Sequence, residues 1–279
     1  MVAPAAILFA LFLITPVILT LILSVTNVRL ISPNPPSFQG VDNFVRAFTA
    51  DPTFLASLRN TLIFAVVIVP LQGGLGLGLA LLINQKIRGI NAFRTIYFVP
   101  VVTSMVVLSM LWKFIYQADG LLNSLISTVT FGALSGTDWL NNTSTALPAI
   151  IAMSAWAGVG FHMVIWLSGL QTIPESLYEA ADLDGCSPWQ KFAFVTWPGL
   201  RPTFVFVLVT ITIAAFSLFI QPLVMTNGGP LNATVTIVLH AVNTGFSKQQ
   251  TGYAAAISLI FFLLVLVVSL IQRRLTKED

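Results

Sequence analysis

The sequence predicts an all-α, polytopic membrane protein with six transmembrane helices. Of its 279 residues, 56% are hydrophobic and only 8% are charged, and the mean hydropathy is +0.90. In soluble proteins about 25% of the residues are charged, so an ordinary soluble fold is excluded. Apolar segments near the roughly 20 residues that a membrane helix needs recur along the whole chain. We therefore treat residues 1–279 as a single transmembrane domain.

Six apolar spans are predicted, with nearly all of the charge in the loops between them. They cover about residues 3–28, 58–83, 95–116, 146–170, 203–225 and 252–272. The first is not predicted as a cleavable signal peptide, because no basic residue precedes its long apolar core. Residues 121–129 predict a short interfacial helix. The apolar residues 235–242 are predicted to lie flat on the membrane or to dip into it.

Four glycines crowd the centre of the second span: Gly73, Gly74, Gly76 and Gly78. Glycine weakens a helix interior, so a run of glycines on a lipid-facing surface would bring no benefit. Small residues let two membrane helices approach closely. The run therefore predicts helix–helix contact, and its position inside an apolar helix argues against a phosphate-binding loop.

The segment 171–202, between the fourth and fifth spans, predicts a helix, a glycine turn and a second helix. Pro174 suits the first turn of a helix, and Gly185 suits the residue that follows its end. Ser187, Pro188 and Gln190 then form the pattern of a capping box. Between Gln171 and Cys186 the segment holds only acidic charges: Glu175, Glu179, Asp182 and Asp184. The alternative is a solvated hairpin without a partner.

Residues 179–202, EAADLDGCSPWQKFAFVTWPGLRP, resemble the EAA loop of the integral membrane (permease) subunits of binding-protein-dependent ABC importers, sugar type. The matching positions are Glu179, Ala180, Ala181, Asp184, Gly185, Phe192, Pro198, Leu200 and Pro202. Cys186 stands where the family usually has alanine, and Trp197 where it usually has leucine. Three further segments are similar to the maltose and glycerol-phosphate branch: residues 38–48, 119–123 and 216–230.

The resemblance implies that segment 171–202 is a cytosolic coupling loop that docks on an ATPase. The residues implied in coupling are Glu175, Tyr178, Glu179, Ala180, Ala181, Asp182, Asp184, Gly185 and Pro198. It also implies three kinds of partner: a second permease subunit in a heterodimer, two nucleotide-binding ATPase subunits and an extracytoplasmic solute-binding protein. The chain lacks any Gly-Lys pair and hence a Walker A loop. ATP and magnesium are therefore expected in the partner subunits, with no cofactor and no catalytic residue in this chain.

Charge bias orients the six spans. Eight basic residues lie on the side of segment 171–202: Lys86, Arg88, Arg94, Lys191, Arg201, Arg273, Arg274 and Lys277. Five lie on the other side: Arg29, Arg46, Arg59, Lys113 and Lys248. The positive-inside rule then places segment 171–202 and both termini in the cytoplasm of a bacterial cell, across its inner membrane. The outer loops 29–57, 117–145 and 227–250 would meet the binding protein.

Polar and aromatic side chains inside the spans are the candidates for a substrate pathway, since lipid-facing positions should be apolar. They are Trp156, His162, Phe216, Ser217, Phe219, Gln221 and Asn227. Aromatic faces beside hydrogen-bonding groups suit a sugar. In the alternative interpretation, His162 makes an interhelical hydrogen bond and the two phenylalanines only pack between helices.

Other functions remain open at this point. An ion-coupled secondary transporter or a channel would act without an ATPase, and a membrane scaffold would have no pathway. An ion-coupled carrier is expected to keep an acidic residue inside the membrane, whereas all ten acids of this chain lie in loops or at span ends. The single cysteine and the two separated histidines indicate no metal site. No basic cluster is large enough to indicate nucleic-acid binding.

Overall fold

The computed structural model describes residues 3–32, 35–84, 90–132 and 136–275, with the backbone alone for residues 90–94 and 275. Within these ranges the chain is helical and forms no β-strand. One isolated antiparallel bridge joins Thr26 to Phe38. Lys86, Arg88 and Lys277, which contribute to the predicted charge bias, lie outside the described residues, as does the side chain of Arg94. The predicted all-α membrane fold is confirmed.

In chain order the helices are α1 Ala3–Ser24, α2 Asp42–Thr49, α3 Pro52–Ile83, α4 Ile90–Val102, α5 Met105–Ile115, α6 Leu121–Val129, α7 Ala146–Gln171, α8 Glu175–Leu183, α9 Pro188–Lys191, α10 Arg201–Phe216, α11 Ile220–Met225, α12 Ile237–Val242 and α13 Thr251–Leu275. A π-helical turn, Phe192–Thr196, and the short helix Trp197–Gly199 continue α9. Within the described ranges, five helices are long and apolar enough to cross a membrane, counting Arg201–Met225 as one. The bent pair α4 and α5 gives a sixth crossing if both belong to one span.

The third predicted span, residues 95–116, is not one straight helix. Its two parts, Thr95–Val102 and Met105–Ile115, are bent by 110°. Pro100 lies inside α4 and lacks the N–H that would bond to the preceding turn. Ser104 then leaves the helical region with ψ 130°. A proline-weakened turn followed by an extended residue accounts for the break.

Other boundaries differ by a few residues from the predicted spans. The second span's helix begins at Pro52 and not near residue 58, because Asp51 Oδ1 accepts hydrogen bonds from the N–H groups of Thr53 and Phe54 at 3.0 and 3.1 Å. This is an N-cap followed by proline at the first helical position. The first span's helix ends at Ser24. That the whole chain is a single domain stays a prediction.

The chain divides into two compact units. One unit comprises the described residues up to Leu62 and those from Ser217 onward. Its apolar core is formed by buried side chains from α2, the start of α3, α12 and α13: Ala47, Phe54, Ile237, Tyr253 and Ile257. Where these side chains lie within the membrane, they stabilise the fold by van der Waals packing, because lipid is as apolar as they are.

Polar side chains of α3 hold the segment before α12 within the same unit. Asn60 Nδ2 donates to the carbonyls of Asn232 and Val235 at 2.8 and 3.0 Å. Thr61 Oγ1 accepts from the Ile237 N–H at 3.1 Å. These backbone groups would otherwise be buried without partners. The free-energy penalty of an unpaired buried group is larger than the net stabilisation from one hydrogen bond.

Backbone contact joins the beginning of α13 to the segment after α1. The Gly252 N–H donates to Val28 O at 2.8 Å. A Cβ at Gly252 would lie 2.1 Å from Thr26 O, so only glycine fits this approach.

The other unit, Ile63–Phe216, is built around α7, which is buried along most of its length. The glycine run predicted to make helix contacts is only partly used. A Cβ at Gly76 would lie 3.3 Å from the Met163 backbone nitrogen, and one at Gly73 would lie 3.6 Å from Ile211. Gly74 and Gly78 have open space beside them. Gly160 of α7 makes a closer approach, because its Cβ would lie 2.0 Å from Tyr97 O.

Candidate functional site: the helix–turn–helix segment and the polar groups of the spans

The first helix of segment 171–202 begins one residue later than its proline suggests. Pro174 is the N-cap, with ψ 132°, and Glu175 is the first helical residue. Proline has no N–H to leave unpaired at this position. Glu175 lies in the first turn, where negative charge interacts favourably with the helix dipole. The predicted order of helix, turn and helix is confirmed.

The turn between the two helices is a Schellman motif. Gly185 has φ +73°, and the N–H of Cys186 donates to Ala181 O at 2.9 Å. The Gly185 N–H donates to Asp182 O at 3.1 Å. A Cβ at position 185 would meet no atom within 4 Å. The constraint on this residue is therefore its left-handed backbone conformation, which β-branched residues avoid.

The second helix starts with the predicted capping box. The Ser187 N–H donates to Gln190 Oε1 at 2.7 Å, and the Gln190 N–H donates to Ser187 Oγ at 3.4 Å. Pro188 occupies the first helical position. Local signals of this kind stabilise a helix end by about 1 kcal/mol, which a short helix requires because its nucleation is unfavourable.

Two side-chain contacts join the helices of the hairpin. Tyr178 OH lies 3.0 Å from Thr196 Oγ1, and Thr196 is buried. Lys191 Nζ forms an ion pair with Asp182 Oδ1. The ion pair is on the surface, where such pairs contribute little. The Tyr178–Thr196 bond is better protected from water and is the stronger restraint.

The base of the hairpin is tightly packed. A Cβ at Gly199 would lie 2.8 Å from Ile173 Cδ1, and one at Gly169 would lie 2.3 Å from Thr203 Oγ1. Leu200 is fully buried. The ends of the hairpin are therefore held against α7 and α10 without room for an extra methyl group.

The outer surface of the hairpin combines acidic and large apolar side chains. Leu183 is 90% exposed and Trp189 is 73% exposed. Glu175, Glu179, Ala180, Asp184 and Pro198 are exposed as well, whereas Ala181 is buried. Exposed apolar groups of this size, rimmed by polar residues, are typical of a protein-binding surface.

Three of the predicted pathway residues lie in the unit Ile63–Phe216. Trp156 is 37% exposed and packs on Trp112, with ring centroids 5.4 Å apart. His162 is 5% exposed, and its Nδ1 lies 3.0 Å from Gly158 O of its own helix. Phe216 is buried. No hydrogen bond or ring contact in the described part of the chain joins Trp156, His162 and Phe216.

The other four predicted pathway residues belong to the unit that comprises the described residues up to Leu62 and from Ser217 onward. Ser217 and Asn227 are exposed, and Phe219 and Gln221 are partly buried. Asn227 has φ +50°, in the turn that follows α11. Their roles in transport, like those of the hairpin residues, stay predictions.

Sequence reasoning missed three buried polar groups on the helices of the unit Ile63–Phe216. Gln72 of α3 is 6% exposed, and its Nε2 lies 3.5 Å from Ser154 O. Ser154 Oγ and Trp112 Nε1 are buried without a hydrogen-bond partner in the described part of the chain. The rule that selected the pathway residues, polarity inside a span, also applies to Gln72 and would have found it.

A polar cluster outside the predicted sites lies in the unit that contains α2 and α13. Asp51 Oδ2 accepts hydrogen bonds from Tyr253 OH at 2.8 Å and from His240 Nε2 at 2.9 Å. Burial acts to raise the pKa of Asp51, but the hydrogen bonds from Tyr253, the Phe54 N–H and His240 outweigh it and hold that pKa below 3.8. Burial lowers the pKa of His240 below 6.5 and outweighs the raising effect of Asp51.

The described residues contain no group of three or more His, Cys, Asp or Glu side chains that could hold a metal ion. His162 and His240 each bind separate partners, Gly158 O and Asp51.

Comparison with known proteins identifies the class. Residues 72–278 match the family described as "Binding-protein-dependent transport system inner membrane component". The chain is 37% identical over 282 residues to the lactose transport system permease protein LacF of Rhizobium radiobacter, covering 99% of this chain and 93% of LacF. It is 36% identical over 276 residues to the probable ABC transporter permease protein YurN of Bacillus subtilis (strain 168), covering 98% and 93%.

A solved structure shares the fold. It is described as a bacterial alginate ABC transporter in complex with alginate pentasaccharide-bound periplasmic protein. One of its chains matches with a TM-score of 0.85 and 24% identity, covering 100% of this chain and 94% of that one.

The chain belongs to the family of inner-membrane components of binding-protein-dependent transport systems. It is a multi-pass inner-membrane protein and a permease subunit of an ABC importer. The resemblance to the sugar-type branch is confirmed.

Proposed function

We propose that this chain forms half of the translocation path of an ATP-driven importer for a carbohydrate or a polyol-phosphate. Its partners are a second, similar permease subunit, two cytosolic nucleotide-binding ATPase subunits and an extracytoplasmic solute-binding protein. ATP and magnesium are bound by the ATPase subunits, and hydrolysis of that ATP drives transport. This chain carries no catalytic residue and no cofactor.

The hairpin of α8 and α9 is the proposed coupling element. The observation that carries this proposal is its combination of internal stiffness, a tightly packed base and an exposed acidic and apolar surface. The Schellman turn at Gly185 and the Tyr178–Thr196 bond restrain the two helices relative to each other. Closure of the ATPase dimer would then displace the hairpin as one body and reorient α7 and α10. This is a rigid-body transition about a fixed site.

The proposed orientation follows the positive-inside rule, with the hairpin and both termini in the cytoplasm. The loops on the opposite side then face the binding protein. The alginate transporter supports a binding-protein partner, since it is in complex with a periplasmic protein.

A carbohydrate substrate is supported by two neighbours. LacF is a lactose transport permease, and the structural neighbour is a transporter of alginate. In the unit Ile63–Phe216 the proposed sugar-contacting group is the half-exposed ring of Trp156. In the other unit the proposed groups are the amides of Gln221 and Asn227. Aromatic rings and a few placed hydrogen-bonding groups suit a sugar, which has apolar faces and hydroxyl edges.

An ion-coupled carrier or channel is a weaker candidate. None of the six predicted spans contains Asp or Glu, whereas proton and sodium relays depend on such residues. Ion-driven transport by the purified chain alone, without an ATPase, would support this alternative and exclude the importer.

The coupling role is tested by replacing Gly185 with valine in the complete transporter. Left-handed backbone costs a residue with a side chain about 1–2 kcal/mol, and a β-branched residue resists it further, so the hairpin turn should distort. We expect stimulated ATP hydrolysis and transport to be lost while the membrane spans stay folded. Gly132→Val is the matched control, because Gly132 also has positive φ, +82°, and open space beside it. Wild-type transport by Gly185→Val would refute the docking role.

A further inference from the structure

A polar cleft lies in the unit formed by the described residues up to Leu62 and from Ser217, next to the Asp51–Tyr253 hydrogen bond and away from the α8–α9 hairpin in the sequence. Its volume is about 240 Å³. The cleft lies between the segment after α1, helix α2 and the beginning of α13. We call it the Arg29–Arg46 cleft, and the lining residues that matter are Arg29, Gln39, Asp42, Arg46, Gln250 and Tyr253.

The N–H groups of the Arg46 guanidinium are available for hydrogen bonding in this cleft. Its guanidinium carbon lies 4.0 Å from the centroid of the Tyr253 ring. The ring is itself fixed, because Tyr253 OH donates to Asp51 at 2.8 Å. No ion pair or hydrogen bond joins the Arg46 guanidinium to another residue in the described part of the chain. A stacked guanidinium with free N–H groups is pre-organised for a planar anion.

Arg29 lies on a backbone that is held on both sides. Val28 O accepts from the Gly252 N–H at 2.8 Å, and the Leu30 N–H donates to Gln249 O at 3.0 Å. The close approach of Gly252 to Thr26 leaves this backbone little room to move. The backbone of Arg29 is therefore held in place at the edge of the cleft. Its side chain is exposed and has no ion pair among the described residues.

The charge and the size of the cleft limit what it can bind. Two guanidinium groups face one carboxylate, that of Asp42, so the lining carries a net charge of about +1 and favours an anion. Pockets for small-molecule ligands typically measure about 300–1,000 Å³. The Arg29–Arg46 cleft is smaller and suits a single acidic side chain better than an oligosaccharide.

In the proposed orientation the cleft faces the outside, since residues 27–46 follow the first predicted span and Gln250 precedes the sixth. We infer that the Arg29–Arg46 cleft receives an aspartate or glutamate carboxylate of the extracytoplasmic solute-binding protein. This inference rests on the proposed function, because it takes that partner and that orientation from it. The bidentate geometry of a carboxylate matches either guanidinium.

The test uses the complete transporter in lipid nanodiscs, titrated with its cognate solute-binding protein loaded with substrate. The measured quantity is the binding-protein concentration that gives half-maximal ATPase stimulation. Arg46→Glu and Arg29→Glu should each raise it by at least about tenfold, since a like charge replaces the attraction. Basal ATPase activity should not change. Arg59→Glu is the matched control, because Arg59 is an exposed arginine on the same side and outside the cleft.

Two further variants separate charge from geometry. Arg46→Lys keeps the charge but loses the planar fork, so it should give an intermediate increase. Exchanging the matching acid of the binding protein for lysine should restore the response of Arg46→Glu. Assembly of each variant with the ATPase subunits shows that it is folded.

Distinct outcomes would overturn the inference. Wild-type titrations for both glutamate variants would refute the cleft while leaving the proposed function intact, because stimulation would persist. Absence of stimulation in the wild-type complex would remove the proposed function and this inference together. If the variants instead change only the dependence of activity on anionic lipid, the cleft binds a lipid phosphate and the inferred protein contact is wrong.

Discussion

His240 Nε2 lies 2.9 Å from Asp51 Oδ2, although the two residues are separated by 189 positions in the chain. The distance alone would suggest an ion pair. Burial lowers the pKa of His240 below 6.5, however, so at neutral pH its imidazole is uncharged. We assign the proton to Nε2, because the Asp51 carboxylate can only accept. The contact is therefore a charge-assisted hydrogen bond from a neutral histidine.

This contact predicts how stability changes with pH. His240 binds a proton more readily in the unfolded chain than in the folded one, so its contribution is present above pH 6.5 and is lost as the pH falls toward the depressed pKa. The free energy of unfolding should drop by at most about 1.4 kcal/mol per pH unit for this site. Thermal unfolding between about pH 7.5 and pH 5.5 measures it. His240→Gln keeps a donor and removes the titration, so its curve should be flatter; an equally steep curve would contradict the assignment.

Gly160→Ala should destabilise the protein severely. The added methyl group would lie 2.0 Å from the carbonyl oxygen of Tyr97, a backbone atom that cannot rotate away. Overpacking of this kind costs about 1–3 kcal/mol or more. Gly78→Ala is the control, since Gly78 has open space and alanine favours a helix by about 0.5–1 kcal/mol. Unfolding midpoints in detergent should move in opposite directions, and equal midpoints would show that the approach is not as close as described.

Tyr178→Phe should loosen the hairpin without altering the spans. It removes the 3.0 Å hydrogen bond to Thr196, which contributes about 0.5–1.5 kcal/mol. Amide hydrogen exchange of residues 175–199 should accelerate accordingly. Combined with Thr196→Val in a double-mutant cycle, the two changes should not be additive. Full additivity would show that the two hydroxyl groups do not interact.

Trp156→Ala should slow substrate transport by about two- to tenfold, which corresponds to an aromatic contact of about 0.5–1.5 kcal/mol. Trp156→Phe keeps a ring and should retain most of the activity. The control is Phe161→Ala, which removes another half-exposed ring from the same helix. Equal losses for Trp156 and Phe161 would indicate packing and not substrate contact.

The parts of the fold that follow from local signals could be predicted from the sequence. Gly185 and the Ser187–Gln190 pair determine the hairpin through backbone conformation and hydrogen bonds within a few residues. The length of each apolar segment similarly predicts the membrane spans. The start of α3 was missed, because the capping role of Asp51 depends on a residue outside the apolar segment.

The remaining features depend on contacts between distant segments. Nothing near His240 in the sequence indicates Asp51, and nothing near Gly160 indicates Tyr97. The bend after Pro100 was also missed, because a proline alone does not distinguish a tolerated kink from a complete break. Gln72 could have been found, since the sequence shows a glutamine inside an apolar span.

The close backbone contact between Gly252 and Thr26 joins α13 to the segment after α1, and this affects the order in which the protein folds during translation. A ribosome synthesises α1 well before α13, and translation proceeds at about 5–20 residues per second. At that rate α1 lies among lipids for roughly 10–50 seconds before its neighbour α13 has been synthesised. The helix is compatible with lipid for that time, because it carries no charge and the hydroxyls of Thr15 and Thr20 bond to backbone carbonyls of the same helix.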